Sequence, residues 1–219
     1  MSGTSPERPL IRHTAGGARN LAVLGVMALL AAVLIGGTWH YTQDRIADNA
    51  ARRTLAELST VLPASLYDNE PQKDVILLDT GSGQPLPVFR ARRNGNPVAA
   101  VVTVIAPDGY VGPIRLLVGI TASGKVLGVQ VTRHTETAGV GAAIAAAPST
   151  WRETFVGRSL DDPPEPRWTV RADGGEFDAI AGATVSSRAT VGAVRNAMQY
   201  FRAHRDEIFA RPASLPKEP

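Results

Sequence analysis

Cysteine is absent from all 219 residues, which excludes disulfides, thiolate metal sites, iron–sulfur clusters and cysteine nucleophiles, and selects neither side of a membrane. Clustered charge of one sign is missing too: the formal net charge is only +3 and the arginines are scattered, so a nucleic-acid partner is not indicated. The chain has no glycine-rich nucleotide fingerprint and no evident serine–histidine–aspartate set, so no catalytic residue is assigned and no independent turnover site is expected. His134 and Glu136 stand two apart and share a face if they lie on a strand. No third ligand stands nearby, and zinc takes at least three from the protein, so no metal is expected. What is present is an apolar fraction of 44%, enough for one globular unit with its own core plus an anchor.

The anchor is read from residues 20–43, which carry no formal charge apart from His40, and from residues 21–37, which are almost purely apolar. A helix through this stretch spans roughly 30 Å, the thickness of a bilayer's hydrocarbon core. Trp39 and Tyr41 at its far end suit a membrane interface. A signal peptide has a shorter apolar region followed by a small-residue cleavage site; here the segment continues into Trp39-His40-Tyr41, which predicts an uncleaved transmembrane helix over 20–41. Arg8, Arg12 and Arg19 before it are matched by Arg45, Arg52 and Arg53 after it, so charge alone leaves the orientation open.

Beyond the span, residues 42–96 read as a stalk helix, ended by Pro63, and a connecting region with one short strand near Val75. Its basic patch, Arg90, Arg92 and Arg93, reads as a solvated loop. Three β-branched, apolar runs follow at 98–105, 114–121 and 126–133, separated by Pro107-Asp108-Gly109 and Ala122-Ser123-Gly124-Lys125. They predict an antiparallel meander. Its cover is expected from the alanine-rich stretch 142–147 and from a long helix after Thr184, whose Val191, Val194, Met198 and Phe201 recur at three- and four-residue steps. The fold class is therefore α+β. Trp151 and Phe155, four apart, are expected in the core. Residues 168–171 read as a strand, and the proline-containing tail 209–219 as flexible.

The stretch of greatest interest is Phe177-Asp178-Ala179-Ile180-Ala181-Gly182-Ala183-Thr184-Val185-Ser186-Ser187-Arg188. Gly182 admits dihedrals closed to other residues, and Ser186 and Ser187 are good helix caps. The Thr184 hydroxyl then sits where free amide hydrogens and the positive end of a helix dipole converge, a place for a phosphate. The plainer reading is a strand-to-helix turn with a capping hydroxyl.

Asp178-x-x-Ala181-Gly182-Ala183-Thr184 resembles the Asp-x-x-(Ser/Thr)-Gly-Ala-Thr signature at which a flavin transferase joins FMN to the closing threonine through a phosphoester. Gly112-Pro113-Ile114, the segment 129–141 with His134-Thr135-Glu136-Thr137-Ala138-Gly139-Val140-Gly141, residues 151–160 and 174–178 resemble the same family in the same order. That family is the G subunit of the Rnf (Rsx) electron-transport complex, related to the C subunit of the sodium-translocating NADH:quinone reductase. Two stretches depart from it: Ala181 stands where Ser or Thr is usual, and Ala138-Gly139-Val140-Gly141 where the loop usually has Pro-Gly-Leu-Gly.

The resemblance implies an FMN-binding domain over 97–208 with FMN covalently held by Thr184, and with Asp178, Gly182, Ala183 and Ser187 around the acceptor. It implies that Thr135, Glu136, Thr137 and Gly139 line the flavin. It further implies a single-pass protein of the bacterial inner membrane, with a cytoplasmic segment 1–19 and a periplasmic C-terminal domain. Maturation would need a flavin transferase. The partners would be the other subunits of a complex that couples ferredoxin/NAD electron transfer to ion translocation, this chain relaying electrons. The alternatives are a component like the C subunit of the quinone reductase and a flavin-free, membrane-tethered interaction domain.

Overall fold

The computed structural model describes residues 16–79, 83–146 and 149–214; the first fifteen residues of the predicted cytoplasmic segment and the last five of the predicted tail lie outside the described residues. The chain divides into two units, Met1–Ala50 and Ala51–Pro219.

The helix α1 (Gly16–Ser59) starts in the first unit, where it carries the apolar stretch Arg19–Thr42, 24 residues long with none of its most apolar window buried. At 1.5 Å per residue that stretch measures about 36 Å. Leu21, Leu24, Met27, Leu30 and Leu34 are all more than half exposed. The Thr38 and Thr42 hydroxyls donate back to the carbonyls of Leu34 and Thr38, at 2.7 and 2.6 Å, and so hide their own polarity. This helix is long and apolar enough to cross a membrane.

The second unit is α+β, as the sequence predicts. Five strands, β1 (Val75–Asp79), β2 (Pro85–Arg93), β3 (Asn96–Ala106), β4 (Ile114–Thr121) and β5 (Val126–Arg133), form one antiparallel meander in chain order. The three strands of the expected meander are β3, β4 and β5, and β1 is the short strand expected near Val75. The sheet also takes in β2, where turns and a solvated basic loop were expected. Val88 faces one core while Phe89 and Ala91 face the other, so β2 is apolar on both sides. Pro85 and Pro87 fall on the part of β2 that pairs with β1 alone; pairing with β3 starts at Val88, where ladder donors are present.

Two residues of the basic patch, Arg90 and Arg92, turn inward, while Arg93 stays exposed as expected. Arg90 is 2% exposed. It donates to the Ile208 carbonyl at 2.9 Å, to the Arg211 carbonyl, and to the Asp74 carboxylate. Arg92 reaches Asp74 Oδ2 at 2.8 Å and the Phe209 carbonyl at 2.9 Å. Both guanidinium groups thus meet the last carbonyls of the helix α3 (Thr184–Ala210), its negative pole.

One sheet face packs on α3 through Val191, Val194, Ala197, Met198 and Phe201, as its periodicity predicts, and the 3₁₀ turn Gly141–Ala145 adds Ile144. Phe155, on the turn after the short helix α2 (Thr150–Glu153), is fully buried and stacks on Phe177 at 4.8 Å, with Trp168 tilted against Phe177 at the same distance. The predicted strand at 168–171 reduces to one bridge, Val170 to Phe177. Trp168 turns inward there, its indole N–H shared by the Ser159 and Pro163 carbonyls.

The opposite sheet face is covered by the end of the predicted stalk: Leu58, Val61 and Leu62 pack on Val75, Phe89, Val101 and Leu117. Two glycines facing each other across the β4–β5 ladder, Gly119 and Gly128, make the approach possible. A Cβ on Gly119 would lie 2.2 Å from the Val61 carbonyl oxygen, and one on Gly128 would lie 2.9 Å from Val61 Cα. Gly119→Ala is expected to destabilise this unit by about 1–3 kcal/mol through overpacking, read as a lower urea midpoint of the full-length protein in detergent.

Candidate functional site

The chain enters α3 through a loop pinned at several points. The Trp151 indole N–H donates to the Asp178 carbonyl, and the Ile180 amide donates to Ser187 Oγ at 3.1 Å. The Ala183 amide closes a turn on the Ile180 carbonyl at 2.9 Å, and Gly182 between them takes φ 77°, the left-handed region that glycine enters freely. Ala183 is the cap residue, and α3 opens at Thr184 without a side-chain capping bond. Ser186 and Ser187, expected as caps, instead lie in the first turn and are buried, their hydroxyls bonded inward. Among the described residues the first-turn amides of Thr184, Val185 and Ser186 therefore have neither an acceptor four residues back nor a capping oxygen, and they carry the positive pole of a 27-residue helix.

Facing this turn is the loop that leaves β5. The Val140 and Ala142 amides both donate to the Thr137 carbonyl, at 3.2 and 3.0 Å, which turns the chain tightly around exposed Gly139. The third side is the β3–β4 turn, which carries Tyr110. Together these three segments wall a cavity of about 460 Å³, within the range of small-molecule sites. Its walls are largely apolar, from Tyr110, Val140 and Val185, with Thr137 and Thr184 among the lining residues.

Of the residues singled out from the sequence, Thr184, Gly182, Ala183 and Thr137 are brought together on this wall. Asp178, Ser187, Thr135, Glu136 and Gly139 are not on it. Asp178 is exposed and ion-paired with Arg171 at 2.8 Å. Glu136 is 6% exposed and already satisfied, by the Ser186 hydroxyl at 2.6 Å and the Val111 amide at 3.2 Å. Sequence reasoning passed over Tyr110, Val140 and Val185. The one local signal for Tyr110 is an apolar pair, Tyr110-Val111, set between Gly109 and Gly112 where a turn ordinarily carries polar residues. A second depression of about 450 Å³ lies beyond Val185, along Asp108, Trp168, Arg188 and Arg195; it contains neither Thr184 nor any residue of the loop after β5.

α3 is tied down by two carboxylates. Arg188 donates to Asp173 at 2.9 Å, and Gln199 and Arg202 both donate to Glu165. The Arg188 guanidinium holds the Asp173 carboxyl below the ordinary carboxylate value, and the Gln199 amide, then Arg202, do the same for Glu165. A carboxyl with a lower pKa folded than unfolded stabilises the fold above its unfolded value, about 4, and loses that contribution as pH falls through its folded value. The melting temperature of the full-length protein is therefore expected to decline below about pH 4, with added salt blunting the contribution of these solvent-accessible pairs.

The FMN-binding domain family matches residues 109–199, a span that contains all three walls of the cavity. The chain is 43% identical over 201 residues to the G subunit of the ion-translocating oxidoreductase complex of Pseudomonas aeruginosa, covering 88% of this chain and 92% of that protein. It is 38% identical over 200 residues to the G subunit from Shewanella loihica, covering 90% and 94%, and 40% identical over 187 residues to that from Photorhabdus laumondii, covering 84% and 90%. The chain belongs to the family of G subunits of ion-translocating oxidoreductase complexes. Similarity to these relatives extends over about nine-tenths of the chain, whereas the FMN-binding domain match begins only at the β3–β4 turn.

Proposed function

We propose that this chain is the membrane-anchored electron carrier of an Rnf-type complex, with FMN fixed through its phosphate to Thr184. The observation that carries the reading is the position of Thr184: the closing residue of the signature is the first residue of an uncapped 27-residue helix and stands on the wall of the cavity. The chain's residues fit the group. The amides of the first turn of α3 and its positive pole suit a phosphate, Gly182 and Ala183 let the backbone come close without side-chain bulk, and Tyr110, Val140 and Val185 offer apolar surface to a planar ring. Thr137 lines the cavity, and Thr135 and Gly139 belong to the same loop. Ala181 is exposed and brings no hydroxyl, so the phosphate would rely on the helix amides.

Attachment needs an activated donor. The Thr184 hydroxyl would take the phosphoryl group from a flavin dinucleotide: its Oγ–phosphorus bond forms as the pyrophosphate bond breaks, a nucleoside monophosphate leaves, and the proton passes to a base of the transferase. Exposed Asp178, with Arg171, lies on the accessible side of the loop, where a transferase would read it; Ser187 holds the loop from beneath. Once bound, FMN supplies one- and two-electron transfer. A covalent tether keeps it in place whatever its redox state. We place the C-terminal unit on the periplasmic side, exchanging electrons with other subunits of a complex that couples ferredoxin and NAD to ion movement.

The test is the intact mass of the full-length protein made together with a flavin transferase. A gain of one FMN less water, located on the peptide containing Thr184, is expected. A mass equal to the bare polypeptide would overturn the reading and favour a flavin-free tethered domain.

A further inference from the structure

Glu136 carries an ionisable carboxylate in a nearly closed place, and among the described residues no cation pairs with it. Burying such a group is costly unless its oxygens are hydrogen-bonded. Both are. Oε2 accepts from the Ser186 hydroxyl on the first turn of α3, and Oε1 accepts from the Val111 amide in the β3–β4 turn. Two glycines leave the space it fills: a Cβ on Gly141 would fall 2.6 Å from Oε2, and one on Gly109 would fall 2.8 Å from Oε1. The side chain thus joins three segments distant in sequence, and each segment contributes a wall of the cavity: Tyr110 beside Val111, Thr137 beside Glu136 itself, and Thr184 two residues before Ser186.

The chemistry of the Ser186 contact also matters. A carboxylate near a helix start ordinarily takes backbone amides. Here it is met by a side-chain hydroxyl, so its charge lies against the positive pole while the amides of Thr184, Val185 and Ser186 stay free of it.

We infer that Glu136 is a positioning residue whose buried carboxylate clamps the β3–β4 turn, the loop after β5 and the first turn of α3 together, and so sets the place of the Thr184 hydroxyl for modification. The second half of this inference rests on the proposal that Thr184 is the FMN acceptor.

The test uses full-length protein in detergent with three variants: Glu136→Ala, Ser186→Ala and Glu136→Gln. The glutamine retains the shape, one acceptor for the Val111 amide, and an N–H group that a rotated Ser186 hydroxyl accepts. Amide hydrogen exchange is read first, on unmodified protein. In Glu136→Ala it should quicken by about tenfold or more at the two hydrogen-bonded amides of these segments, Val111 and Ser187, with 191–201 unchanged. In Ser186→Ala it should quicken at Ser187, and Glu136→Gln should stay near wild type at both amides. Attachment by a flavin transferase with a flavin dinucleotide donor is read second. The kcat for Glu136→Ala and Ser186→Ala should fall by about tenfold or more as the hydroxyl is misplaced, with KM for the protein substrate unchanged and Glu136→Gln restoring the rate.

Exchange confined to 134–141, or unchanged, would overturn the clamp. Faster exchange with wild-type attachment kinetics would overturn the positioning role. If wild-type protein itself takes no flavin, the acceptor reading fails, and the exchange data on unmodified protein still decide the clamp.

Discussion

Thr184→Ala, made together with a flavin transferase, is expected to lose all flavin fluorescence from its band on a denaturing gel, while Thr184→Ser keeps it. Chemistry and folding separate cleanly at this position. Thr184 is only half-buried and makes no side-chain capping bond to its own helix, so removing its hydroxyl should change stability by less than about 1 kcal/mol, as for substitutions away from core and caps. Serine presents the same nucleophilic oxygen at the same helical position. Equal melting temperatures for the three proteins, with fluorescence in two of them, would assign the attachment to the hydroxyl. Full fluorescence in Thr184→Ala would assign it elsewhere.

The largest effect on stability is expected at Arg90. Arg90→Met keeps much of the buried volume but withdraws the donors to the Ile208 and Arg211 carbonyls and leaves Asp74 with Arg92 alone. Removing one partner of a buried pair costs about 3–5 kcal/mol. The lower part of that range is the expectation here, because Arg92 still reaches Asp74 at 2.8 Å. Urea unfolding of the full-length protein measures the loss. Asp74→Asn added to Arg90→Met should cost less than the sum of the two single changes, since the acid left behind is then uncharged. Strict additivity would mean that the two side chains do not act together.

How much of this architecture could be read in the sequence follows from how local each signal is. The apolar stretch of α1 is continuous, and β3, β4 and β5 announce themselves through β-branched runs and glycine turns, because neighbours in the chain determine both. β2 was hidden. Its two prolines and three arginines argue against a strand, and Arg90 is buried by partners out of any local window: Asp74 sixteen positions before it and the Ile208 carbonyl 118 positions after it. The cavity shows the same division. Thr184, Gly182 and Ala183 belong to one contiguous motif and were legible as a group, and Thr137 was drawn in by the loop it belongs to. Tyr110 and Val185 acquire their meaning only when three separate segments meet. Glu136 belongs to a loop expected to line the ligand, and its carboxylate meets Ser186, fifty positions downstream. Where chemistry depends on one turn the sequence is enough; where it depends on convergence across the sheet, the fold has to be seen.

The notch made by Gly119 and Gly128 has a practical bearing on how the globular part can be handled in water. Because Leu58, Val61 and Leu62 roof one side of the sheet, cutting the chain at Pro63 would strip that apolar underside bare, leaving Phe89, Val101 and Leu117 to seek each other between molecules. A cut near residue 51 keeps the roof, so the two final turns of a segment that reads as mere spacer are what keep that underside covered.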